Sequence, residues 1–444
     1  MENEKKIQAR TGAAVAGTSS RPLWFRLDNA ALIFPASRRK GWANAFRISF
    51  TFKDPVDPAI ATEALRHLKP RFPSVFVHLG ASLFWHYLEE TEGVPQIQQD
   101  QSQPLVHMQK EEIKKCAIRV LYYRNRLAVE FFHSVTDGTG GLIFAKNLAA
   151  EYTRLRYSEM IEPDEALDIK DINEAPPAEE LEDSFQKDVG LVSAPRDDRN
   201  VYHLKGTLEE DRFKHVTLGM LDEQEVREAA RAAGTTVGGY LTAILLECLI
   251  EMQAAEQPEL KRQKPVKVQI PVNLRKLYGS KTMRNYVAVA NIGVDPRMGH
   301  YTTDELMKIV YHEMKLAITA KNMRAIFRPN VVSERNLLVR IMPLPVKNAV
   351  MRMVYDTVGE TVTSLCLSNL GHVKLPETME RHLERVEFVL GPQAQSPYNV
   401  SATSACGTMF INIVRNTKEP VLEEKFFTKL VRMGHHVKIE ANGG

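Results

Sequence analysis

The stretch that decides the fold is FFHSVTDGTGG, residues 131–141. The apolar run Leu127–Phe132 predicts a strand that ends directly at His133. Asp137 follows four positions later, and a glycine-rich turn leads into an amphipathic run over 142–157 that predicts a helix. We expect the strand end to fix the imidazole and the glycines to permit a tight turn with unusual backbone dihedrals. Because imidazole titrates near neutral pH, this setting predicts that His133 is a general base.

The same short pattern also fits a structural histidine at the end of a strand. The context favours the catalytic interpretation, because the motif follows a predicted strand and precedes a glycine-rich turn and a predicted helix. A general base takes the proton of an attacking hydroxyl or amine, and a histidine held in this way can do so. Ser134 is not expected to act as a nucleophile, since neighbours on a strand point to opposite faces.

Residues 133–138 resemble the HxxxDG signature of the superfamily that contains chloramphenicol acetyltransferase, peptide-synthetase condensation domains, plant acyltransferases and fungal-type alcohol acetyltransferases. The resemblance is nearest to the alcohol acetyltransferase branch. It implies that His133 is the general base, that Asp137 braces the loop through a salt bridge to an arginine, and that Gly138 leaves room for substrate. Many members carry a second histidine before the first, whereas this chain has Phe132 there.

Looser resemblances continue downstream, so that the likeness covers about residues 21 to 435. The segment 233–237 (AGTTV) resembles the opening of the second half of condensation-like proteins. The segment 271–275 (PVNLR), followed by 285–287 (NYV), resembles their strand-and-turn region. By that resemblance Arg275 is the expected partner of Asp137, with Asn273 as structural support. The segment 368–371 (SNLG) resembles the strand that closes over the acyl channel in the alcohol acetyltransferase branch.

The fold that this resemblance implies is α/β (α+β). It has two chloramphenicol-acetyltransferase-like domains with mainly antiparallel mixed sheets flanked by helices, and an active-site tunnel at their interface. The implied donor is an acyl-CoA or a phosphopantetheine thioester, which enters from one side while a small-molecule acceptor enters from the other. No tightly bound cofactor and no metal are expected. A polar group must stabilise the tetrahedral oxyanion, and the candidates for substrate binding are Ser368, Asn369, Ser401 and Thr403.

Composition and patterning divide the chain into four parts. Residues 1–20 are polar and small, which predicts a disordered tail. An N-terminal acyltransferase-like domain is expected over 21–157 and a C-terminal one over 198–444. Between them, residues 158–197 are acidic and contain prolines, which predicts a linker or loop that buries little apolar surface. Further predicted helices cover 58–68, 303–322, 334–355 and 420–433, and further predicted strands cover 43–52, 117–123, 266–272, 286–293, 364–368, 385–390 and 408–414.

Charge and cysteine usage narrow the classes of function. The 58 Lys and Arg residues nearly balance the 55 Asp and Glu residues, so the net charge of +3 argues against nucleic-acid binding. The four cysteines are far apart and form no CxxC pair, which is typical of buried free thiols in a reducing cytoplasm. The N-terminus lacks an apolar signal segment, and the run 237–250 is too short to span a bilayer, so we expect no integral membrane segment. We expect a monomer or weak oligomer.

Three functions remain open on these residues. The first is an acyl-CoA-dependent acyltransferase acting on a hydroxyl or amine. The second is a free-standing condensation-type enzyme that takes its acyl group from a carrier protein. The third is a non-catalytic protein of the same fold that binds a lipid or other ligand, which the intact set His133, Asp137 and Gly138 disfavours because such a protein has no need of the base.

Overall fold

The computed structural model describes residues 22–38, 44–194, 200–210, 213–355, 361–392 and 396–442, so the predicted tail 1–20 lies outside the described residues. Within these ranges the strands are β1 (Trp24–Arg26), β2 (Ala45–Phe52), β3 (Val77–Ala81), β4 (His86–Glu90), β5 (Ile97–Gln99), β6 (Ile118–Tyr123), β7 (Arg126–Phe132), β8 (His215–Asp222), β9 (Val266–Asn273), β10 (Val287–Val294), β11 (Leu365–His372), β12 (Leu383–Leu390), β13 (Tyr398–Ala405), β14 (Thr408–Arg415) and β15 (Lys438–Ala441).

The α-helices of the same ranges are α1 (Ile33–Ala36), α2 (Pro58–Leu68), α3 (Lys110–Ile113), α4 (Gly138–Tyr157), α5 (Ala178–Leu181), α6 (Ser184–Lys187), α7 (Glu223–Ala232), α8 (Val237–Glu256), α9 (Arg275–Tyr278), α10 (Thr303–Ala317), α11 (Ala320–Arg335), α12 (Leu337–Ile341), α13 (Leu344–Val354), α14 (Glu377–Glu380) and α15 (Val421–Arg432). Short 3-10 turns lie at Glu165–Leu167, Leu260–Arg262 and Pro296–Met298.

The strands form two main sheets, each packed against helices. The first has five strands in the order β12-β2-β7-β6-β5, and the second has seven in the order β10-β9-β11-β13-β14-β8-β15. A small sheet of β1, β4 and β3 stands apart from them. Most pairs are antiparallel, with β11 parallel to both β9 and β13 and β5 parallel to β6. The predicted α/β class with mainly antiparallel mixed sheets is confirmed.

One strand from late in the chain belongs to the first sheet. β12 pairs antiparallel with β2, so that Phe388 lies opposite Ile48 and Leu390 opposite Phe46. Its side chains Val386 and Phe388 join the apolar core of the first unit. The predicted domain boundaries at residues 157 and 198 stay a prediction. One correction is that residues 383–390, from the predicted C-terminal domain, contribute a strand to the N-terminal sheet.

The acidic segment 158–197 is packed more closely than its composition predicts, as far as residue 194, where its description ends. Ile161, Ile169 and Phe185 are buried, and Phe185 lies edge-on against Tyr286. The Glu180 carboxylate, also buried, accepts two hydrogen bonds from Arg71 at 2.6 and 3.0 Å. The expectation that this segment buries little apolar surface is therefore wrong for these residues. Composition averages over the segment and misses isolated apolar side chains that reach the core.

The longest apolar helix lies inside the second unit. α8 is long and apolar enough to cross a membrane by length and composition, but 67% of its most apolar 18-residue window is buried in the protein. Its residues Tyr240, Ile244 and Leu249 pack in the core beneath the seven-stranded sheet. Burial on this scale fits the predicted core helix.

Most predicted elements lie within a few residues of their observed bounds, and two helices do not. The predicted helix 303–322 ends at Ala317, and its last residues belong to α11. The predicted helix 334–355 is α12 and α13, which are separate. The Asn336 side chain accepts from the Leu338 amide and starts α12, while Met342 before Pro343 is extended, with ψ 128°. The prolyl ring disfavours the helical conformation in the residue before it, and here Met342 is extended and divides the helix.

Candidate active site

The sequence places His133 at the end of a strand whose neighbours hold it rigidly. β7 is buried along nearly its whole length between β2 and β6. The backbone N–H of His133 donates to the Asn44 carbonyl at 2.8 Å. The imidazole stacks on Phe34 of α1, with ring centroids 4.4 Å apart, and meets the edge of Phe46 at 5.0 Å. The side chain is partly exposed, so a substrate can reach an imidazole whose plane is fixed.

Asn285 selects the tautomer of this imidazole. The Nδ1 atom of His133 lies 3.3 Å from the Oδ1 atom of Asn285. An amide oxygen only accepts, so Nδ1 carries the proton and Nε2 is left as the basic atom. The other end of the same amide, Nδ2, donates to Asp28 at 3.4 Å, which fixes the orientation of the amide. The chain from His133 through Asn285 to Asp28 thus leaves Nε2 ready to accept a proton.

Burial and nearby charges set the protonation of the two ends of this chain. Burial lowers the pKa of His133 below its ordinary 6.5, although its own carbonyl, the charge of Asp137 and the Asn285 contact oppose the change. Burial raises the pKa of Asp28 to about 7, against the opposing charge of Arg284, whose Nη2 lies 3.7 Å away. The imidazole is therefore neutral at physiological pH, as a general base must be.

Asp137 does not face the base but caps the helix that follows it. One carboxylate oxygen accepts from the Thr139 and Gly140 amides at 3.1 and 3.0 Å. The other accepts from the Tyr286 amide at 2.7 Å and from the Arg275 guanidinium at 2.8 Å. Burial alone would raise the pKa of Asp137, but the charge and hydrogen bonds of Arg275, with those of Tyr286 and Gly140, hold it below the ordinary value. The predicted ion pair between Asp137 and Arg275 is present.

Arg275 connects the loop that carries His133 to the loop that carries Asn285. Its guanidinium also donates to the Thr282 and Arg284 carbonyls at 2.7 and 2.5 Å, just before Asn285. Asn273, predicted as structural support, accepts from the Arg275 backbone N–H at 3.0 Å and from its side chain at 3.3 Å. One buried cation thereby sets the spacing between the two units at the candidate site.

The glycines of the motif serve close packing and not unusual dihedrals, which corrects the sequence-based expectation. None of the three has a positive φ; all lie within α4. A Cβ at Gly140 would lie 2.5 Å from the Met283 carbonyl, and one at Gly141 would lie 2.7 Å from the Phe46 ring. A Cβ at Gly138 would lie 3.0 Å from Leu370, so the space there is shared with β11. The loops can interlock only because these side chains are missing.

The four predicted substrate-binding residues have different surroundings. Ser401 is buried and its hydroxyl donates to the Phe388 carbonyl at 2.6 Å, while Thr403 donates to the Gly371 carbonyl at 3.2 Å. A hydroxyl has one proton, so neither is free to stabilise an oxyanion here. The structure does not favour these two as substrate-binding residues.

Ser368 and Asn369 lie at the end of β11 that reaches the motif. Alternation puts Ser368 on the face of Leu370, which contacts the position of Gly138, and Asn369 on the other face. Consistent with this, the Asn369 amide nitrogen points toward Gly238 of α8, and its oxygen accepts from the Gly371 amide at 2.8 Å. The Ser368 hydroxyl forms no hydrogen bond to the residues that the structure describes, and it is partly exposed. Of the four residues, Ser368 is therefore the one whose free hydroxyl lies on the face of β11 that meets the motif.

Sequence reasoning missed Phe34, Asn285 and Asp28. Asn285 stands in the segment 285–287 that the resemblance singled out, but nothing in the sequence indicates that its amide contacts a histidine 152 positions away. Asp28 and Phe34 lie in a short irregular stretch with no motif. Among the described residues no group of His, Cys, Asp and Glu could hold a metal ion, and the four cysteines are free thiols.

No protein-family model and no curated protein sequence matches this chain. Solved structures do match it over most of its length. Polyketide synthase associated protein 5 of Mycobacterium tuberculosis matches with a TM-score of 0.58 and 13% identity, over 91% of this chain and 96% of that one. The condensation domain of the Monacolin K polyketide synthase MokA gives 0.57 and 12%, over 93% and 97%. TRI101 of F. sporotrichioides, solved with coenzyme A and T-2, gives 0.58 and 11%, over 94% and 99%. The chain therefore has the two-domain fold of condensation domains and chloramphenicol-acetyltransferase-like proteins.

Proposed function

We propose that this protein is an acyltransferase that moves an acyl group from a CoA thioester to a hydroxyl or amine, with His133 as general base. The observation that carries the proposal is the orientation of the His133 imidazole, which has Nδ1 bound to Asn285 and leaves Nε2 as the basic atom. Aromatic contacts with Phe34 and Phe46 hold the ring in that position. A non-catalytic protein of this fold would need neither the lowered pKa nor the fixed tautomer.

The reaction needs a proton to move twice. Nε2 of His133 takes the proton of the acceptor hydroxyl or amine as the acceptor oxygen or nitrogen bonds to the thioester carbon. The resulting oxyanion is stabilised by a hydrogen-bond donor, for which we propose the Ser368 hydroxyl. The carbon–sulfur bond then breaks, and the imidazolium returns the proton to the departing thiolate. The ester or amide and the free thiol leave, and the base is regenerated.

Coenzyme A is the donor that we propose, because TRI101, a structure of the same fold, was solved with coenzyme A and a small-molecule ligand. A cytoplasmic location and a monomeric or weakly oligomeric state stay predictions.

The test is a matrix of acyl-CoA thioesters against alcohols and amines, read as thiol release and as product mass. We expect acceptor-dependent thiol release that His133→Ala lowers by about 10² to 10⁴. The matched control is His215→Ala, since His215 also lies on a strand and against an aromatic ring, Phe213, and bonds a glutamate instead. Turnover of His133→Ala above a tenth of the wild-type rate would overturn the assignment of the base.

The same matrix separates the alternative functions. The condensation-domain match favours a carrier-bound donor as the second candidate, so acyl-pantetheine and an acyl carrier protein are included as donors. Turnover with the carrier-bound donor alone would replace CoA in the proposal. Saturable binding of acyl chains with no turnover of any donor would indicate a binding protein instead.

A further inference from the structure

The helices α12 and α13 present apolar side chains to solvent. On α13 these are Val346, Val350 and Met353, which are spaced by four and three residues and therefore lie on one face. On α12 they are Leu337, Leu338 and Ile341. Each of the six is between 41% and 71% exposed. These six side chains, with Leu83 and Phe84 of the adjacent turn, are called the outer apolar surface below.

The turn that carries Leu83 and Phe84 is joined to α13 by hydrogen bonds. The Leu344 amide donates to the Leu83 carbonyl at 2.9 Å, and the Lys347 ammonium donates to the Phe84 carbonyl at 2.8 Å. Leu83 is 69% exposed. The turn and the first half of α13 therefore lie side by side.

The outward face of α13 is more apolar than that of an ordinary surface helix, and its buried side chains are Leu344 and Lys347. Its inward face carries Lys347, which is buried and lies over the Trp85 ring with Nζ 3.2 Å from the ring centroid. Its outward face carries Val346, Val350 and Met353. A surface helix of a globular protein normally turns its polar residues outward, so this arrangement indicates a face that meets an apolar phase.

The charged residues of α12 and α13 indicate which kind of apolar phase this face meets. Residues 335–355 contain four cations, Arg335, Arg340, Lys347 and Arg352, and no Asp or Glu. All three arginines are exposed: Arg340 stands among the apolar residues of α12, while Arg335 and Arg352 also donate to Gln186 and to the Ala36 carbonyl. Apolar helical residues flanked by arginines are typical of segments that lie in the headgroup region of anionic bilayers.

The surface lies on the side of the molecule that holds the base. The Arg352 guanidinium donates to the Ala36 carbonyl of α1 at 3.0 Å, and the same short helix carries Phe34, which stacks on His133. A bilayer in contact with α13 would therefore lie near the helix that covers the imidazole. An acceptor or acyl chain dissolved in lipid would have a short path to the candidate site.

We infer that the outer apolar surface docks the protein on an anionic lipid bilayer. The apolar side chains enter the headgroup boundary, and the arginines beside them contact lipid phosphates and carboxylates. This inference does not depend on the proposed function, since docking requires no turnover.

The test is flotation of the full-length protein with vesicles of phosphatidylcholine alone and of phosphatidylcholine with phosphatidylserine. We expect the protein to float with the mixed vesicles and to stay largely unbound with phosphatidylcholine alone. Val350→Asp and Arg340→Glu should each lower binding to the mixed vesicles by about fivefold or more, because each removes an apolar or cationic contact. Thermal melting and acyl transfer to a soluble acceptor are measured on the same variants, so that a folding defect is recognised.

Two variants away from the surface serve as matched controls. Met298→Asp changes an exposed methionine in the 3-10 turn Pro296–Met298, and Arg432→Glu reverses an exposed arginine at the end of α15. Both should float like the wild type. Equal binding to the two vesicle types, or an equal loss in the controls, would overturn the inference. So would a concentration-dependent dimer that Val350→Asp disperses without vesicles, because a second copy would then be the occupant.

Discussion

In the loop that carries His133, polar groups are turned inward and paired, whereas in α12 and α13 apolar groups are turned outward into solvent. The Asp137 carboxylate accepts four hydrogen bonds, two from the backbone of its own helix and two from residues of the other unit. Val346 and Val350, by contrast, are half exposed on an outer helix. A loop whose carboxylate is fully hydrogen-bonded keeps a fixed geometry, which catalysis requires. An unsatisfied apolar face serves a contact that the isolated molecule does not make.

The largest effect is expected in the loop that carries His133 and Asp137. Asp137→Ala leaves the buried Arg275 guanidinium without its carboxylate and should lower the free energy of unfolding by roughly 3 to 5 kcal/mol. Arg275→Ala should do the same. The double variant should lose less than the sum, because the pair acts as a unit. Urea titration of all three against the wild type gives the coupling, and melting of Asp137→Ala at the wild-type temperature would contradict this account of the loop.

The same pair should give the stability a definite dependence on pH. The pKa of Asp137 is lower in the folded protein than its ordinary 3.8. Its contribution to stability is therefore fully present above that value and is lost as the pH falls through the folded pKa. Asp137→Asn should flatten this acid limb of the unfolding curve, measured by denaturant titration across the acid range.

A second large effect is expected in the acidic segment, which is packed more closely than its composition predicts. Phe185 is buried edge-on between Tyr286 and Phe327, next to the loop that carries Asn285. Phe185→Ala should cost roughly 3 to 5 kcal/mol of unfolding free energy. Leu191→Ala, which truncates a 93% exposed side chain of the same segment, is the control and should be near neutral. A loss below about 1 kcal/mol in Phe185→Ala would restore the view of a loosely attached segment.

The parts of the molecule that could be predicted from the sequence are those in which a local pattern decides the outcome. Pro58 at the first turn, after an Asp57 that accepts from the Ala59 amide, defines α2 from Pro58 to Leu68. The strand that ends at His133 and the pairing of Asp137 with Arg275 also follow from local pattern and resemblance. In each case the residues that matter are close in sequence or lie in a motif with a known role.

What could not be predicted depends on contacts between distant segments. The amide of Asn285 reaches His133 from a loop that is held against the motif by Arg275, through the Thr282 and Arg284 carbonyls, and by Thr136, through the Met283 carbonyl. β12 joins the first sheet by pairing with β2, although about 330 residues separate them. Ser401 carries a hydroxyl of the kind that can stabilise an oxyanion. Its one proton, however, is donated to the Phe388 carbonyl of β12. Such contacts depend on how whole sheets pack, and the local periodicity of the sequence does not indicate them.

A moderate effect is expected for the partner of the base. Asn285→Ala removes the acceptor of the Nδ1 proton and should lower kcat by about tenfold, the equivalent of one hydrogen bond worth about 1.4 kcal/mol. The Asn285 contact raises the pKa of His133, so its loss should move the acid limb of the pH–rate profile to lower pH. A purely structural role would lower activity without moving that limb. An unchanged profile with a normal melting temperature would remove Asn285 from the mechanism.

The smallest effect is expected on the outer face of α13. It distinguishes that face most clearly from the loop that carries His133. Val346→Asp places a carboxylate in the first turn of α13, where the helix dipole favours a negative charge. That gain opposes the small loss of apolar contact at a half-exposed position, so the free energy of unfolding should change by no more than about 0.5 kcal/mol. Transfer to a water-soluble acceptor should keep the wild-type kcat/KM, since the variant touches neither the His133 loop nor its brace. Leu344→Ala, at a buried position of the same helix, should instead cost about 2 kcal/mol. If Val346→Asp lowers the free energy of unfolding as much as Leu344→Ala does, the outer face of α13 is part of the core and its apolar residues need no partner.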